Sequence, residues 1–92
     1  MSKIQNRIFK YELKITDSQK IDMPIGARLL SAKEQDGKLM VWALVDLRCA
    51  NKPKEIMIVG TGHPIEFAVG EYSLNFVDTV VMSNGFVWHI FA

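Results

Sequence analysis

Ninety-two residues, 49% hydrophobic and 23% charged, suffice for one domain with one core and exclude a second core or a large β/α barrel. Eleven Lys and Arg stand against ten Asp and Glu, a formal net charge of +1 with no long block of either sign. That balance argues against a disordered tail, a nucleic-acid arm or a membrane-surface segment.

The chain opens with Lys3, Arg7 and Lys10 mixed with polar residues and shows no apolar signal core, so export is not expected. From Phe9 to Ile15 apolar and charged residues alternate, the period-two pattern of a half-buried strand. Thr16, Asp17 and Ser18 form a polar turn, and Gln19 to Met23 alternates again, so the two segments read as a hairpin. Pro24 and Gly26 then predict a corner. Leu29 to Gln35 and Lys38 to Asp46 flank Asp36 and Gly37, a pair suited to a type I′ hairpin because both positions accept positive φ.

Leu39 to Val45 is apolar at every position, which predicts a central strand covered on both faces; it is far too short to span a bilayer. Leu47 to Lys54 turns polar and reads as a loop. Glu55 to Val59 is a further strand, interrupted by Gly60, Thr61, Gly62, His63 and Pro64, with a strand or a short helix over Pro64 to Val69. Tyr72 to Met82 and Phe86 to Phe91 surround Ser83, Asn84 and Gly85, whose Asn and Gly suit a bulged hairpin. The expected fold is all-β, or β-rich with at most one short helix. It is a single domain over residues 1–92, a compact antiparallel sandwich, roll or small barrel of about seven or eight strands.

Chemistry-bearing residues are few. Cys49 stands alone, which excludes an internal disulfide and suits a reducing cytoplasm. His63 and His89 lack the spacing of a zinc site, and no metal or cofactor is expected. Successive amides of Gly60, Thr61, Gly62 and His63 could converge on a small anion, with Arg48 or Lys54 supplying charge in three dimensions; the bland alternative is a strand-ending turn. His63 with Asp46 or Asp78 would make a general base for a small hydrolase, and His89 reads as a hydrogen-bonded structural residue. Trp42, Tyr72, Phe76, Phe86, Trp88 and Phe91 are chiefly core. Glu12 between Lys10 and Lys14 neutralises the one basic stripe, so nucleic acid is not expected.

Lys10 to Leu13, Ile15 to Asp17, Met23 to Ala27, Trp42 to Asp46, Gly60 to Ile65 and Val87 to Phe91 together resemble a small uncharacterised family encoded in phage and bacterial genomes. That resemblance implies a phage or prophage setting and assigns no role to any residue. With no coherent catalytic set, the expected function is a non-catalytic, cytoplasmic binding protein that occupies a host protein or a defence component. Its partner face would draw on Arg48, Asn51, Lys52, Trp88 and Phe91. Capture of an anionic, nucleotide-like signal at the glycine turn and a structural phage component are the alternatives. Apolar residues on both faces of Leu39–Val45 and Phe86–Phe91 further predict a homo-oligomer.

Overall fold

Leu39, Val41, Ala43 and Val45 fall on one face of a nine-residue strand, and none is more than 1% exposed. Period-two placement forces them to the same side, and burying them requires a second layer. A computed structural model, describing residues 4–70 and 73–92, shows how that layer is built. The described residues form seven strands and no helix: β1 (Asn6–Leu13), β2 (Ser18–Pro24), β3 (Arg28–Gln35), β4 (Lys38–Asp46), β5 (Asn51–Gly60), β6 (Phe76–Val81) and β7 (Val87–Phe91). They make a three-stranded sheet, β1-β4-β3, and a four-stranded sheet, β2-β5-β7-β6, with every ladder antiparallel. One core joins them: the β4 row with Leu13 and Ala32 on one side, and Met23, Ile56, Ile58, Val80 and Ile90 on the other. The extents of 50 × 32 × 16 Å are those of a two-layer slab, since packed sheets lie ~10 Å apart.

The β3–β4 turn forms as expected, with φ of 54° at Asp36 and 78° at Gly37, both positive as a type I′ turn requires. The corner also forms: the Ala27 amide donates to the Pro24 carbonyl at 3.0 Å and Gly26 takes φ 83°.

Four expectations are corrected. β1 and β2 are not a hairpin, because β1 pairs with β4 from Asn6↔Asp46 to Leu13↔Leu39 while β2 pairs with β5 from Ser18↔Met57 to Pro24↔Asn51. Alternation reports which face is buried, not which strand lies alongside, and the connection crosses from one sheet to the other. At that crossing the Gln19 side chain bonds both the Lys14 amide (3.1 Å) and its carbonyl (2.7 Å).

The expected loop over Leu47–Lys54 shrinks to a short turn, and Asn51, Lys52, Pro53 and Lys54 belong to β5. Pro53 is tolerated there. The Ile58 amide bonds the Asp17 carbonyl of the β2 side, so alternation turns the Pro53 nitrogen to the opposite edge, where β7 pairs only from Met57 onward. Residues 64–69 form neither helix nor strand ladder but lie across the outer face of the four-stranded sheet, where Phe67 meets Phe91. Finally, β4 is central but covered on one face alone: Met40, Trp42 and Leu44 on its other face are half-buried, with no layer above them. The expected strand start at Tyr72 lies outside the described residues, and β6 begins at Phe76.

The two lateral seams between the sheets differ. At one, β3 and β6 are joined by side chains: the Asp78 carboxylate accepts the Ala32 amide at 2.9 Å, and the Glu34 carboxylate accepts the Ser83 amide and hydroxyl at 2.9 and 2.8 Å. At the other, no hydrogen bond joins β1 to β2 among the described residues, and a cleft of about 500 Å³ lined by Phe9, Tyr11, Asp22 and Pro24 opens between them. The barrel is therefore not closed. Because Ala32 is buried, Asp78→Ala strands its amide, and urea unfolding is expected to show a loss of ~1–3 kcal/mol, with Asp78→Asn, which keeps an acceptor, losing less than half as much.

Candidate functional site

At the end of β5 the Gly60 carbonyl accepts the His63 amide at 3.1 Å, and Gly62 takes φ 85°, closing a type II turn with Thr61 at its tip. A side chain at Gly60 would displace the His63 ring. A Cβ there would lie 2.9 Å from His63 Nδ1 and 3.4 Å from the Trp88 ring, which sits opposite Gly60 on β7. His63 therefore rests on the backbone of its own turn.

Thr61 reaches back to β7, where its hydroxyl lies 2.7 Å from His89 Nε2, while the Thr79 hydroxyl of β6 lies 2.9 Å from His89 Nδ1. A hydroxyl both donates and accepts, so the two threonines satisfy the neutral imidazole in either tautomer. His89 is thus a half-buried, clamped structural residue that ties the turn to two strands. His63 makes no side-chain hydrogen bond among the described residues, and it divides two clefts. One, about 450 Å³, includes Asp17, Pro64, Glu66 and Phe67; the other, about 250 Å³, includes Thr61, Ile65, Phe76 and His89.

The structure separates the residues expected to act together. Lys54 stands six residues before Gly60 on an extended strand, ~20 Å away, and Arg48 lies beyond the opposite end of β5, ~30 Å away. Among the described residues no lysine or arginine lines either cleft at the turn, and the charged residues there are Asp17 and Glu66. Neither Asp46 nor Asp78 bonds His63. Asp78 is held by the Ala32 and Thr79 amides. Asp46 is gripped by Arg48, whose Nη2 donates at 2.7 Å, whose Nε donates at 3.0 Å and whose backbone amide donates at 3.0 Å. The Arg48 side chain, then its amide, lower the Asp46 pKa to about 2, and the same pair raises that of Arg48.

The expected partner face divides as well. Asn51, Lys52 and Arg48 gather at one end of the slab, and Trp88 packs near Gly60 at the other. Phe91 is 7% exposed beneath edge-on contacts from Phe67 (5.3 Å) and Phe76 (5.8 Å), so it packs rather than docks. Cys49 is exposed and unpaired by any disulfide.

A surface that sequence reasoning missed lies on the outer face of the three-stranded sheet. Register places Ile8, Lys10 and Glu12 of β1 beside Leu44, Trp42 and Met40 of β4, with Arg28, Ser31 and Lys33 of β3 on their other flank. Ile8 is 60% exposed, and a bulge between Leu29 and Ser31 leaves Leu30 41% exposed. The face is an apolar strip centred on Trp42 and bordered by Lys33, Lys38 and Arg28; Lys10 reaches across it to donate to Gln35 of β3 at 2.8 Å, and Glu12 is held by Lys38 at 3.6 Å. Its signal was the unbroken apolar run of β4, read as a strand covered twice.

These features define a small two-sheet antiparallel β-protein with a half-buried apolar strip on one sheet face. The chain belongs to the family described as domain of unknown function (DUF7352), whose family model matches residues 4–92. No curated protein and no solved structure matches it. Among the described residues no helix is long and apolar enough to cross a membrane.

The Arg48 clamp makes a pH prediction. A folded-state pKa below the unfolded value adds stability above the unfolded pKa, and that contribution is lost as pH falls from 3.8 toward about 2. A carbon-detected NMR titration is expected to place the Asp46 carboxyl midpoint near about 2, and Arg48→Ala is expected to return it toward the usual carboxylate range.

Proposed function

We propose that this chain is a non-catalytic binding protein that acts by occupying a protein partner through the outer face of the β1-β4-β3 sheet. The observation that carries the reading is the half-buried row of Met40, Trp42 and Leu44 on a strand whose opposite row forms the core. Tryptophan and methionine are enriched at the centres of protein interfaces, and a rigid sheet holds them with little ordering cost on association. The cationic border favours a partner that presents acidic groups around an apolar patch.

The glycine turn supports this reading over anion capture. A multiply charged phosphate ligand needs cationic side chains, and the turn is flanked by Asp17 and Glu66. The resemblance of the segments named above to a small family encoded in phage and bacterial genomes supports a setting inside a bacterial cell carrying a phage or prophage, with a host protein as the target.

The test is affinity capture from such a host lysate, followed by reconstitution with the purified partner. Trp42→Ala is expected to weaken binding by ~2 kcal/mol or more, roughly 30-fold, while circular dichroism stays unchanged. Equal binding by the variant, or a partner that makes its contacts at Gly60–His63 instead, overturns the reading.

A further inference from the structure

Four strands end the two sheets; two of their edges are joined to one another, and a third ends on a proline. β3 and β6 are closed against one another by Asp78 and Glu34. On β2, the Ile58 amide bonded to the Asp17 carbonyl and the Ile25 amide bonded to the Ala50 carbonyl fix the alternation. Odd residues face β5, and Ser18, Lys20, Asp22 and Pro24 face outward, so the open edge ends on a residue with no amide hydrogen to offer. On β1 the Asn6 carbonyl accepts from Arg7 Nη1 at 2.9 Å, and no other side-chain bond or proline protects the edge among the described residues. The Gln5 carbonyl accepts the Leu47 amide at 2.9 Å, which turns odd residues toward β4 and the backbone groups of Asn6, Ile8, Lys10 and Glu12 toward the open edge. Each of these four carries both an N–H and a C=O, and the strand is exposed along almost its whole length. On its inner face Phe9 is 40% exposed, because the seam beside it is the one left unsealed.

We propose that the β1 edge is the homodimer site: two copies pair antiparallel through β1 about a two-fold axis at Phe9, joining their three-stranded sheets into one of six strands. A two-fold operator allows few registers. Centring on Lys10 opposes two like charges, and centring on Tyr11 drives the second copy into the Leu13–Ser18 crossing, which Gln19 holds rigid. Centring on Phe9 uses the whole strand from Asn6 to Glu12 and opposes no like charges. It sets Phe9 against the second copy's Phe9, Tyr11 against its Arg7, Ile8 against its Lys10, whose side chain turns away over β4 to Gln35, and Glu12 against its Asn6. The outward-facing backbone groups of Asn6, Ile8, Lys10 and Glu12 then all find ladder partners. The dimer also brings the two Trp42 strips into one plane, with two β1 strands between them.

This proposal stands on the strand edge and is independent of what binds the Trp42 face, so either can fail alone. Sedimentation velocity of the full chain at micromolar concentration is expected to show a dimer. Phe9→Arg, which opposes two guanidinium groups at the axis, is expected to raise the dimer dissociation constant at least tenfold while circular dichroism stays unchanged. In a Cys49→Ser background, Phe9→Cys is expected to form an intermolecular disulfide under mild oxidation, since directly opposed strand residues lie ~5 Å apart, and Tyr11→Cys is expected not to. A monomer at high concentration, a dimer indifferent to Phe9→Arg, or linkage through Tyr11→Cys in place of Phe9→Cys overturns it.

Discussion

The structure depends on one constraint: a chain of this length can afford a single buried layer, and β4 supplies its centre line. Leu39, Val41, Ala43 and Val45 are withdrawn from water almost completely, and the flanking Leu13 and Ala32 extend the same layer. Each large side chain so buried contributes about 1.5–3 kcal/mol, against an ordering cost of similar size per residue or two. The four-stranded sheet covers one face of β4, and among the described residues no element covers the other, which leaves the Trp42 strip half-buried.

The same shortage explains the polar groups. Two sheets that share a core but do not close as a barrel leave strand edges whose backbone groups must be satisfied. Asp78 and Glu34 serve the β3 and β6 edges, Asp46 orders the turn after β4 through Arg48, and His89 binds the β5 turn through Thr61 and Thr79. Side chains that in isolation look like acids, bases or ligands are engaged in holding backbone together. His63 escapes this use, and it sits over Gly60 with no carboxylate bonded to it.

Much of this was legible in the sequence because it is written locally. The Asp36–Gly37 turn, the Pro24–Gly26 corner, the clamped His89 and the all-β character follow from residue chemistry over a few positions. Partner choice was not legible. β1 and β2 each alternate and are joined by a short polar segment, yet they lie in different sheets, since alternation fixes facing and leaves pairing to the global arrangement. Pro53 hid the start of β5 because the harmless edge for a proline is visible only once the neighbours are known. The outer β4 row failed for a related reason: an apolar side chain covered by another layer and one left facing solvent read alike.

The contrast between the two seams connects fold to function. Where the sheets meet at β3 and β6, carboxylates take over the bonds a ladder would have made, which blunts both edges against further pairing. At β1 the one comparable contact among the described residues is Arg7 Nη1 donating to the Asn6 carbonyl at 2.9 Å, and the aromatic side chains of Phe9 and Tyr11 border the resulting cleft. An unprotected edge is an aggregation liability unless something regular covers it, and a symmetric partner covers it while limiting growth to two copies. The two proposals therefore use different surfaces of one sheet: the edge for self-pairing, and the outer face for a partner of another kind.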